Sequence, residues 1–365
     1  MTIRLTRARF LAAAGLATAG LAAAGLAAAT LALPAAARAA APVSLLETGS
    51  TLLYPLFNIW VPAYTKANPG VRISTQGTGS GTGIAQAISG VAQIGASDAY
   101  MANAQIKQNP NILNIPLAIS AQTVNYNVPG LNQTHLKLSG PVLAGIYSGK
   151  IRFWDDAALK ALNPGVALPH HVIIPVHRTD GSGDTFIFSQ YLAFSTPSWM
   201  KTVAYGTTIS WPAVPGGLGA EGNPGMVQGA QQNPYSIAYI GVSFHAQIAK
   251  AGLGTALIEN KAGKFLLPSA ATIGAAAAAI GPKTPKDERI SLVFAPGVSS
   301  YPIINYEYAI VNKKQASPAT AAALKKFLLW CITAGNASSF LDQVRFIALP
   351  APIVALSKTQ IDKIQ

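Results

Sequence analysis

The chain has 365 residues, of which 50% are hydrophobic and only 11% are charged, so it is long enough to bury the cores of two lobes. Its 26 Lys and Arg against 13 Asp and Glu give a net charge of +13, and the basic residues are scattered rather than clustered with aromatic side chains. Nucleic-acid-binding proteins concentrate basic residues on one face, so this pattern argues against nucleic acid as a partner, whereas a diffuse positive field attracts small anions.

Residues 1–39 predict a cleaved export signal. Arginines at positions 4, 7 and 9 precede a charge-free stretch over residues 10–33, and Ala37-Arg38-Ala39 fits the small-x-small cleavage pattern. The apolar stretch is also long enough to span a bilayer, so an uncleaved anchor is the alternative. The single cysteine, Cys331, excludes a disulfide within the chain and is expected to be a buried core thiol.

Two runs of small hydroxyl and glycine residues come early in the mature chain, and each stands where a helix is predicted to begin. Gly49-Ser50-Thr51 precedes an apolar helical pattern over residues 54–64, and the glycine-rich run 77–83 precedes a second pattern over residues 84–88. A helix N-terminus offers unpaired backbone N–H groups and a partial positive charge. Both runs are therefore candidate contacts for an anion.

A third run, Asp180-Gly181-Ser182-Gly183-Asp184-Thr185, precedes the helical pattern 186–192. Arg178 lies just before it and can add a bidentate, charge-assisted contact. Three helix N-termini aimed at one point form an anion cage, so the sequence predicts recognition of a small oxyanion.

Short β-branched runs alternate with these helical patterns, which predicts an α/β fold with mostly parallel strands. Candidate strands are residues 71–74, 94–96 and 172–176, and polar residues follow each of them. Ligands bind beyond the carboxyl ends of the strands in open α/β sheets, so these polar residues are expected to meet there. Alanine-rich composition predicts two further helices, at residues 270–280 and 319–334.

Two extended segments, residues 123–128 and 303–311, are candidate crossings between two lobes. If the chain leaves one lobe at the first segment and returns at the second, that lobe is discontinuous. The predicted organisation is a signal at 1–39, lobe I formed by 40–125 plus 303–365, and lobe II formed by 126–302.

The motifs of several other sites do not fit the chain. Glycines at 77, 79, 81 and 83 miss the G-x-G-x-x-G spacing of dinucleotide sites, and no lysine follows as in phosphate-loop NTPases. The histidines lack a metal-binding spacing, so neither a metal nor a cofactor is predicted. His177 lies five residues before Ser182, too local for the usual catalytic triad. We therefore predict a protein that is not an enzyme, with a secreted phosphatase or hydrolase using Ser80 or Ser182 as the alternative.

Beyond these residue types, whole segments resemble the periplasmic phosphate-binding proteins of the phosphate-specific ABC transporter. The Arg-x-Asp-Gly-Ser-Gly motif at 178–183, combined with Gly-Ala-Ser-Asp at 95–98, is its most specific feature. The resemblance spans residues 45–356, and segments such as 301–311 look closest to the actinobacterial-type branch. It implies a two-lobed, type II periplasmic-binding-protein fold that closes on its ligand through two hinge crossings.

The resemblance also assigns phosphate contacts to positions of this chain. The assigned residues are Thr51, through its hydroxyl, Leu52, through its backbone N–H, Ser80, Asp98, Arg178, Ser182, Gly183 and Asp184, with Asp180 as the acid that orients the arginine. It implies a periplasmic monomer that passes inorganic phosphate to the permease subunits of an inner-membrane importer.

Asp98 explains how such a site would distinguish phosphate from sulfate. Phosphate carries a proton near neutral pH and can donate it to a buried carboxylate, whereas sulfate is fully ionised and is repelled there. Asp98 therefore argues against a third reading, in which the same fold binds another oxyanion.

Two positions depart from the family pattern. Leu52 stands where an aromatic residue is usual, which is harmless if only its backbone acts. Asp184 stands where many relatives have threonine, so a hydroxyl donor is replaced by an acceptor. Our hypothesis is that Asp184 takes a second phosphate proton and favours the dihydrogen form, and the alternative is that it only caps the helix beginning near Thr185.

Overall fold

Strands and helices alternate through residues 41–365, which are the residues that the computed structural model describes, and the predicted signal lies outside them. The strands are β1 (Val43–Gly49), β2 (Val71–Gly77), β3 (Ile94–Ser97), β4 (Ile112–Asn127), β5 (Lys137–Leu138), β6 (Ile174–Arg178), β7 (Leu218–Ala220), β8 (Ser236–Gly241), β9 (Gly254–Thr255), β10 (Leu257–Glu259), β11 (Phe265–Leu266) and β12 (Ile304–Asn312). The helices are α1 (Tyr54–Ala67), α2 (Ser80–Ser89), α3 (Asn103–Gln108), α4 (Gly140–Tyr147), α5 (Ala157–Leu162), α6 (Gly183–Ser195), α7 (Pro197–Thr202), α8 (Gly222–Gln232), α9 (His245–Lys250), α10 (Ala270–Ile280), α11 (Pro318–Cys331), α12 (Ser338–Leu341) and α13 (Ala351–Ile361). The predicted α/β class is confirmed.

Most of the strands form one sheet in the order β2-β1-β3-β12-β4-β8-β6-β7, with β9 beside β4. The two ends of this order are parallel, because helices connect β1, β2 and β3 and likewise β6, β7 and β8. In the middle, β12 and β4 run antiparallel to their neighbours. The expectation of mostly parallel strands therefore holds for the ends of the sheet and fails at its centre.

Strand β4 joins the two ends of the sheet. Its 16 residues are buried up to Tyr126, and it pairs with β12 as far as Ala121 and with β8 from Gln122 onward. The segment predicted as the first crossing is thus the second part of one continuous strand. We call β2, β1, β3 and β12 the first half-sheet, and β8, β6 and β7 the second half-sheet.

The boundaries of the two lobes stay a prediction. Helix α10 has the predicted bounds. The predicted lobe II contains this helix, yet it packs on β4 and on β12, which belongs to the first half-sheet. The third predicted strand is displaced along the chain: residues 174–178 form β6, so Arg178 is the last residue of the strand rather than part of the loop after it. Helix α11 spans residues 318–331, whereas the sequence predicted a helix at 319–334.

An aromatic cluster holds α1 against α11. Trp60 and Tyr64 on α1 pack on Phe327 and Trp330 of α11, with ring centroids 4.9 Å apart for Tyr64 and Phe327. Burying one large side chain contributes about 1.5–3 kcal/mol, so this cluster holds α1 firmly on the first half-sheet. Its N-terminus, just after the Gly49-Ser50-Thr51 run, is therefore held in place.

Helix α6 is buried from Gly183 to Ala193, enclosed by α4, α7, β4 and β8. The helix also carries buried polar residues, and their side chains or caps are satisfied by hydrogen bonds, as for Asp184 and Ser189. The Cys331 thiol is buried as predicted. Among residues 41–365, no helix has the length and apolar content needed to cross a membrane.

Candidate functional site

The polar runs singled out in the sequence come together where β1, β3 and β6 end. Ser50 follows β1, Asp98 follows β3, and the run beginning at Thr179 follows β6. Helices α1, α2 and α6 start from these loops or beside them, and α8 adds a fourth helix start. The site therefore lies at the carboxyl ends of strands from both half-sheets, as the sequence predicted.

On the first half-sheet, Asp98 is held by two hydroxyl groups. Ser50 donates a hydrogen bond to Asp98 Oδ1, and Ser80 Oγ donates to Oδ2 at 3.3 Å. The carboxyl group is almost fully buried, with the residue only 2% exposed. Burial, together with the negative charge of Asp184, raises the pKa of Asp98 to about 7. At neutral pH the protonated and ionised forms of the Asp98 carboxyl group are therefore similar in free energy.

On the second half-sheet, Arg178 is held by two acids. Its Nε donates to Asp180 Oδ1 at 2.6 Å, Nη2 donates to the other oxygen of Asp180, and Nη1 donates to Asp184 Oδ2 at 2.8 Å. Burial alone would raise the pKa of Asp180, but the hydrogen bond and charge of Arg178, together with backbone hydrogen bonds such as that from Gly222, outweigh burial and lower the pKa. Asp180 thus orients the guanidinium, as the family resemblance implied, and the pair of acids offsets the arginine charge.

Asp184 is buried and its carboxylate is fully engaged. Besides Arg178 it receives hydrogen bonds from Gln122 Nε2 at 3.0 Å and from Asn223 Nδ2 at 2.7 Å. Burial raises the pKa of Asp184 although Arg178 opposes the shift. The cap of α6 is provided by Ser182, whose hydroxyl accepts the Thr185 N–H at 3.1 Å, so in this structure Asp184 faces the arginine and not the Thr185 backbone.

Thr51 and Leu52 lie just before α1, and their side chains make different contacts. The Thr51 hydroxyl oxygen accepts hydrogen bonds from the Asn223 backbone N–H and from Asn223 Nδ2, at 3.2 and 2.9 Å. The Leu52 side chain is fully buried against Gly241, where an added Cβ would lie 2.2 Å from Leu52 Cδ1. Leucine therefore fills a core position, and only its backbone faces the site.

Several backbone N–H groups at these helix starts have no protein acceptor. Within residues 41–365 they are those of Thr51, Leu52, Ser80, Gly183 and Asp184. Gly183 allows the close approach, because a Cβ there would lie 2.4 Å from Asp98 Oδ2 and 2.5 Å from Ser80 Oγ. Unpaired donors from three helices are thus gathered beside Asp98, and this arrangement suits an anion.

Two glycine-containing segments beside the site, one at the start of α2 and one after β6, contact each other. The Gly81 N–H donates to the Gly181 carbonyl oxygen at 2.8 Å, and a Cβ on Gly81 would lie 3.0 Å from Gly181 Cα. The backbones of a first-half-sheet loop and a second-half-sheet loop thus touch directly. A side chain at either position would require the facing loop to move by a few tenths of an ångström.

Sequence reasoning missed three residues of the site. Ser50 belongs to the first small-residue run, but its neighbour Thr51 was chosen. Asn223 follows Gly222 and precedes Pro224 at the start of α8, a fourth run of turn and cap residues that carried the same signal. Gln122 lies inside β4 and had no local signal, because only the strand's path brings it to Asp184.

The two serines considered as candidate nucleophiles have no histidine partner within residues 41–365. Within the described residues, neither the Ser80 nor the Ser182 hydroxyl bonds to a histidine. The His177 ring instead stacks on Trp211 with centroids 5.1 Å apart. The serine–histidine pair of the usual hydrolase triad is therefore not found among the described residues.

Comparison with known proteins places these features in a family. The model of the PBP superfamily domain matches residues 36–334. The PstS phosphate-binding protein of Methanocaldococcus jannaschii is 34% identical over 352 residues, which cover 91% of this chain and 89% of the relative. The PstS phosphate-binding protein of Xylella fastidiosa is 32% identical over 321 residues, covering 88% and 85%.

A solved structure agrees with the fold. The structure of a high-affinity periplasmic phosphate-binding protein, PfluDING, bound with phosphate, superposes with a TM-score of 0.70 at 20% identity and covers 87% of this chain and 93% of that one. The expected type II periplasmic-binding-protein fold is therefore confirmed.

Proposed function

This chain belongs to the PBP superfamily and, within it, to the PstS phosphate-binding proteins, and from that premise we propose that it binds inorganic phosphate outside the cytoplasm and delivers it to an ABC-type importer. Residues 41–365 contain no helix suited to cross a membrane. Export depends on the N-terminal segment, which has the composition of a cleaved signal.

The observation that carries the proposal is the meeting of helix starts from both half-sheets around one carboxyl group. The N–H groups of Leu52 and Gly183 lack protein acceptors, and the Gly183 backbone lies against Asp98. A tetrahedral oxyanion offers several acceptor oxygens, which match these converging donors. The hydroxyls of Thr51, Ser80 and Ser182 are the proposed side-chain contacts.

Charge is distributed so that the site does not rely on a free cation. Arg178 is already bonded to Asp180 and Asp184. Most of the binding free energy is therefore assigned to neutral N–H and O–H dipoles, which need no reorganisation when the ligand arrives. Arg178 adds a fixed positive field behind them.

Asp98 supplies the selectivity in this proposal. Its buried carboxylate accepts a hydrogen bond from the O–H group of phosphate. A fully ionised sulfate has no such donor, so it is repelled by the negative charge of Asp98. Closure follows from contacts between the half-sheets, such as Gly81 to Gly181 and Thr51 to Asn223. The permease would then recognise the closed form.

The test is calorimetric titration of the exported protein after bound ligand has been removed by unfolding and refolding. Phosphate is titrated first and sulfate second, both at neutral pH. We expect one-to-one phosphate binding and no heat with sulfate. Tight sulfate binding, or no binding of either anion, contradicts the proposal. Release of phosphate from a phosphomonoester, lost in a Ser182→Ala variant, would instead favour a hydrolase.

A further inference from the structure

Glu307 is a buried acid directly behind the proposed phosphate site, and none of the contacts described so far uses it. It lies on β12 with 0% of its surface exposed. Its Oε1 accepts hydrogen bonds from the Ser120 hydroxyl and from Asn305 Nδ2, the latter at 3.1 Å. Oε2 receives no hydrogen bond from any donor of residues 41–365. A buried acceptor in this state calls for a physical reason.

Strand β12 pairs Tyr308 with Ser97 of β3, and this register sets Glu307 beside Asp98 just past the end of β3, where the two carboxyl groups influence each other. Asn305 ties the two acids together, because its Nδ2 donates to the Asp98 carbonyl oxygen at 3.1 Å as well as to Glu307. Two ionised carboxylates can only accept, so a bond between them requires a proton on one. Asp98 already receives the hydroxyls of Ser50 and Ser80, which leaves Glu307 as the donor.

We propose that Glu307 carries a proton on Oε2 and donates it to the Asp98 carboxylate, and that phosphate binds only while this pair of acids holds one proton. The inference rests on the proposed phosphate function. In it Glu307 is a positioning residue: it touches Asp98 and not the ligand. It keeps Asp98 ionised, oriented and ready to accept the phosphate proton.

The ionisation preferences of the two acids point the same way. Burial, and next the adjacent charge of Asp98, raise the pKa of Glu307 well above its usual value. For Asp98, burial and the charge of Asp184 raise the pKa, and the hydrogen bond from Glu307 lowers it. The shared proton therefore belongs to Glu307.

The other groups around this pair do not replace the proton. Asp184 and Arg178 approach Asp98 from the second half-sheet and already offset one another. The elements packed on the first half-sheet side, β4, the end of β1 and the start of α2, contribute hydroxyls, which are those of Ser120, Ser50 and Ser80. Loss of the proton thus leaves two adjacent negative charges beside an anionic ligand.

The consequence is a fall in phosphate affinity as the pH rises through the pKa of the pair. If binding requires one bound proton, linkage gives a loss of about tenfold per pH unit above that pKa. In the alkaline range, inorganic phosphate is already its singly protonated dianion. The titrating group is then in the protein.

The experiment is calorimetric titration with inorganic phosphate from neutral to alkaline pH, on the wild-type protein and on Glu307→Gln. Glutamine keeps an oxygen for Ser120 and Asn305 and presents an N–H to Asp98, so it imitates protonated glutamic acid at every pH. We expect the wild-type affinity to fall about tenfold per pH unit in the upper part of the range while the variant loses less than half of that slope.

Glu288→Gln is the matched control. Glu288 is also fully buried, its Oε1 accepts the Ser357 hydroxyl, and burial raises its pKa to about 8, but it packs against α13 and not against the site. Its affinity should fall with pH in parallel with the wild type. A general loss of stability at alkaline pH would act on all three proteins, whereas the proposed proton acts on two.

Parallel slopes in all three proteins overturn the inference and leave the proposed function intact. A wild-type protein that binds no phosphate at any pH contradicts the proposed function itself. If Glu307→Gln does not fold, carboxyl carbon NMR of the wild-type protein decides the question. A Glu307 signal in the protonated range at neutral pH supports the inference, and one in the ionised range overturns it.

Discussion

The two half-sheets meet the same ligand region with opposite chemistry. The first presents one carboxyl group, Asp98, which is bonded to two hydroxyls and has a second acid, Glu307, beside it on β12. The second presents a guanidinium, Arg178, already bonded to Asp180 and Asp184. In the proposed function, the first side distinguishes protonated from unprotonated ligands, and the second side supplies a positive charge that two acids largely offset.

This difference explains how an acid belongs in an anion site. A bare arginine would hold any oxyanion, including sulfate, whereas an arginine offset by two acids provides orientation with little net charge. Our proposal assigns the selectivity to Asp98, which would reject ligands that carry no proton. The following substitutions alter one side at a time, beginning with the largest expected effect.

Asp98→Asn removes the proton acceptor of the first half-sheet. Asparagine keeps an oxygen for the Ser50 hydroxyl but can turn an N–H toward the ligand, which a fully ionised oxyanion accepts. A site built on a specific hydrogen bond rejects ligands lacking it by about 10⁴, and we expect this preference for phosphate over sulfate to fall to about tenfold. Competition titration measures it.

The control for this variant is Asp342→Asn, which changes an exposed acid far from the site along the chain. Its selectivity should match the wild type. Unchanged selectivity in Asp98→Asn would remove the carboxyl mechanism.

Arg178→Met removes the cation of the second half-sheet. Asp184, with a side chain only 1% exposed, then stays buried without its ion-pair partner. Removing one member of a buried pair costs about 3–5 kcal/mol of unfolding free energy, and phosphate binding should be lost as well. Urea unfolding measures the first effect and calorimetry the second.

Lys160→Met is the matched control, because Lys160 pairs with Asp155 at the surface with its side chain 55% exposed. Exposed pairs contribute little, so its stability should stay close to the wild type. If Arg178→Met were equally stable, the acids around Arg178 would be accommodated in some other way.

Asp184→Thr restores the donor that many relatives have at this position and frees one nitrogen of Arg178. Burial raises the pKa of Asp184, so the group is neutral at low pH and becomes a negative charge as the pH rises through that pKa. Removing it should increase affinity for the phosphate dianion about tenfold at alkaline pH and leave affinity at acidic pH nearly unchanged. A pH series with no difference from the wild type would reject the hypothesis.

Asn223→Ala breaks the bridge between the two sides, since Asn223 bonds both Thr51 and Asp184. Loss of such hydrogen bonds costs about 0.5–1.5 kcal/mol, which is a two- to tenfold weaker phosphate affinity by calorimetry. Asn233→Ala at the other end of α8, where the side chain bonds only the Gly229 carbonyl oxygen, should bind normally. Equal effects in the two variants would point to a general weakening of α8.

The parts of this site with a local cause could be predicted from the sequence. Small and hydroxyl residues before an apolar pattern favour a helix start, and such starts carry free N–H groups wherever they lie. This reasoning located the runs 49–51, 77–83 and 180–185, with Arg178 just before the third. Asp98 was noted instead because it follows the predicted strand 94–96. The family resemblance added residue roles, which stay predictions.

The rest depended on the path of the chain in space. Gln122 reaches Asp184 because β4 changes partner at that residue, and Glu307 reaches Asp98 because β12 lies beside β3. For neither residue do the adjacent residues in the sequence form a motif that would predict a place near the site. Contacts between residues nearly 200 positions apart, such as Ser120 with Glu307, leave no periodic or local pattern.

The sequence by itself determined the alternation of strands and helices and the helix starts with their unpaired donors, because each follows from interactions between residues close in the chain. Only the tertiary structure decided which charges face each other: Arg178 with two acids, and Asp98 with Glu307. Charge pairing inside a protein depends on distance and burial, and those are set by how the half-sheets pack.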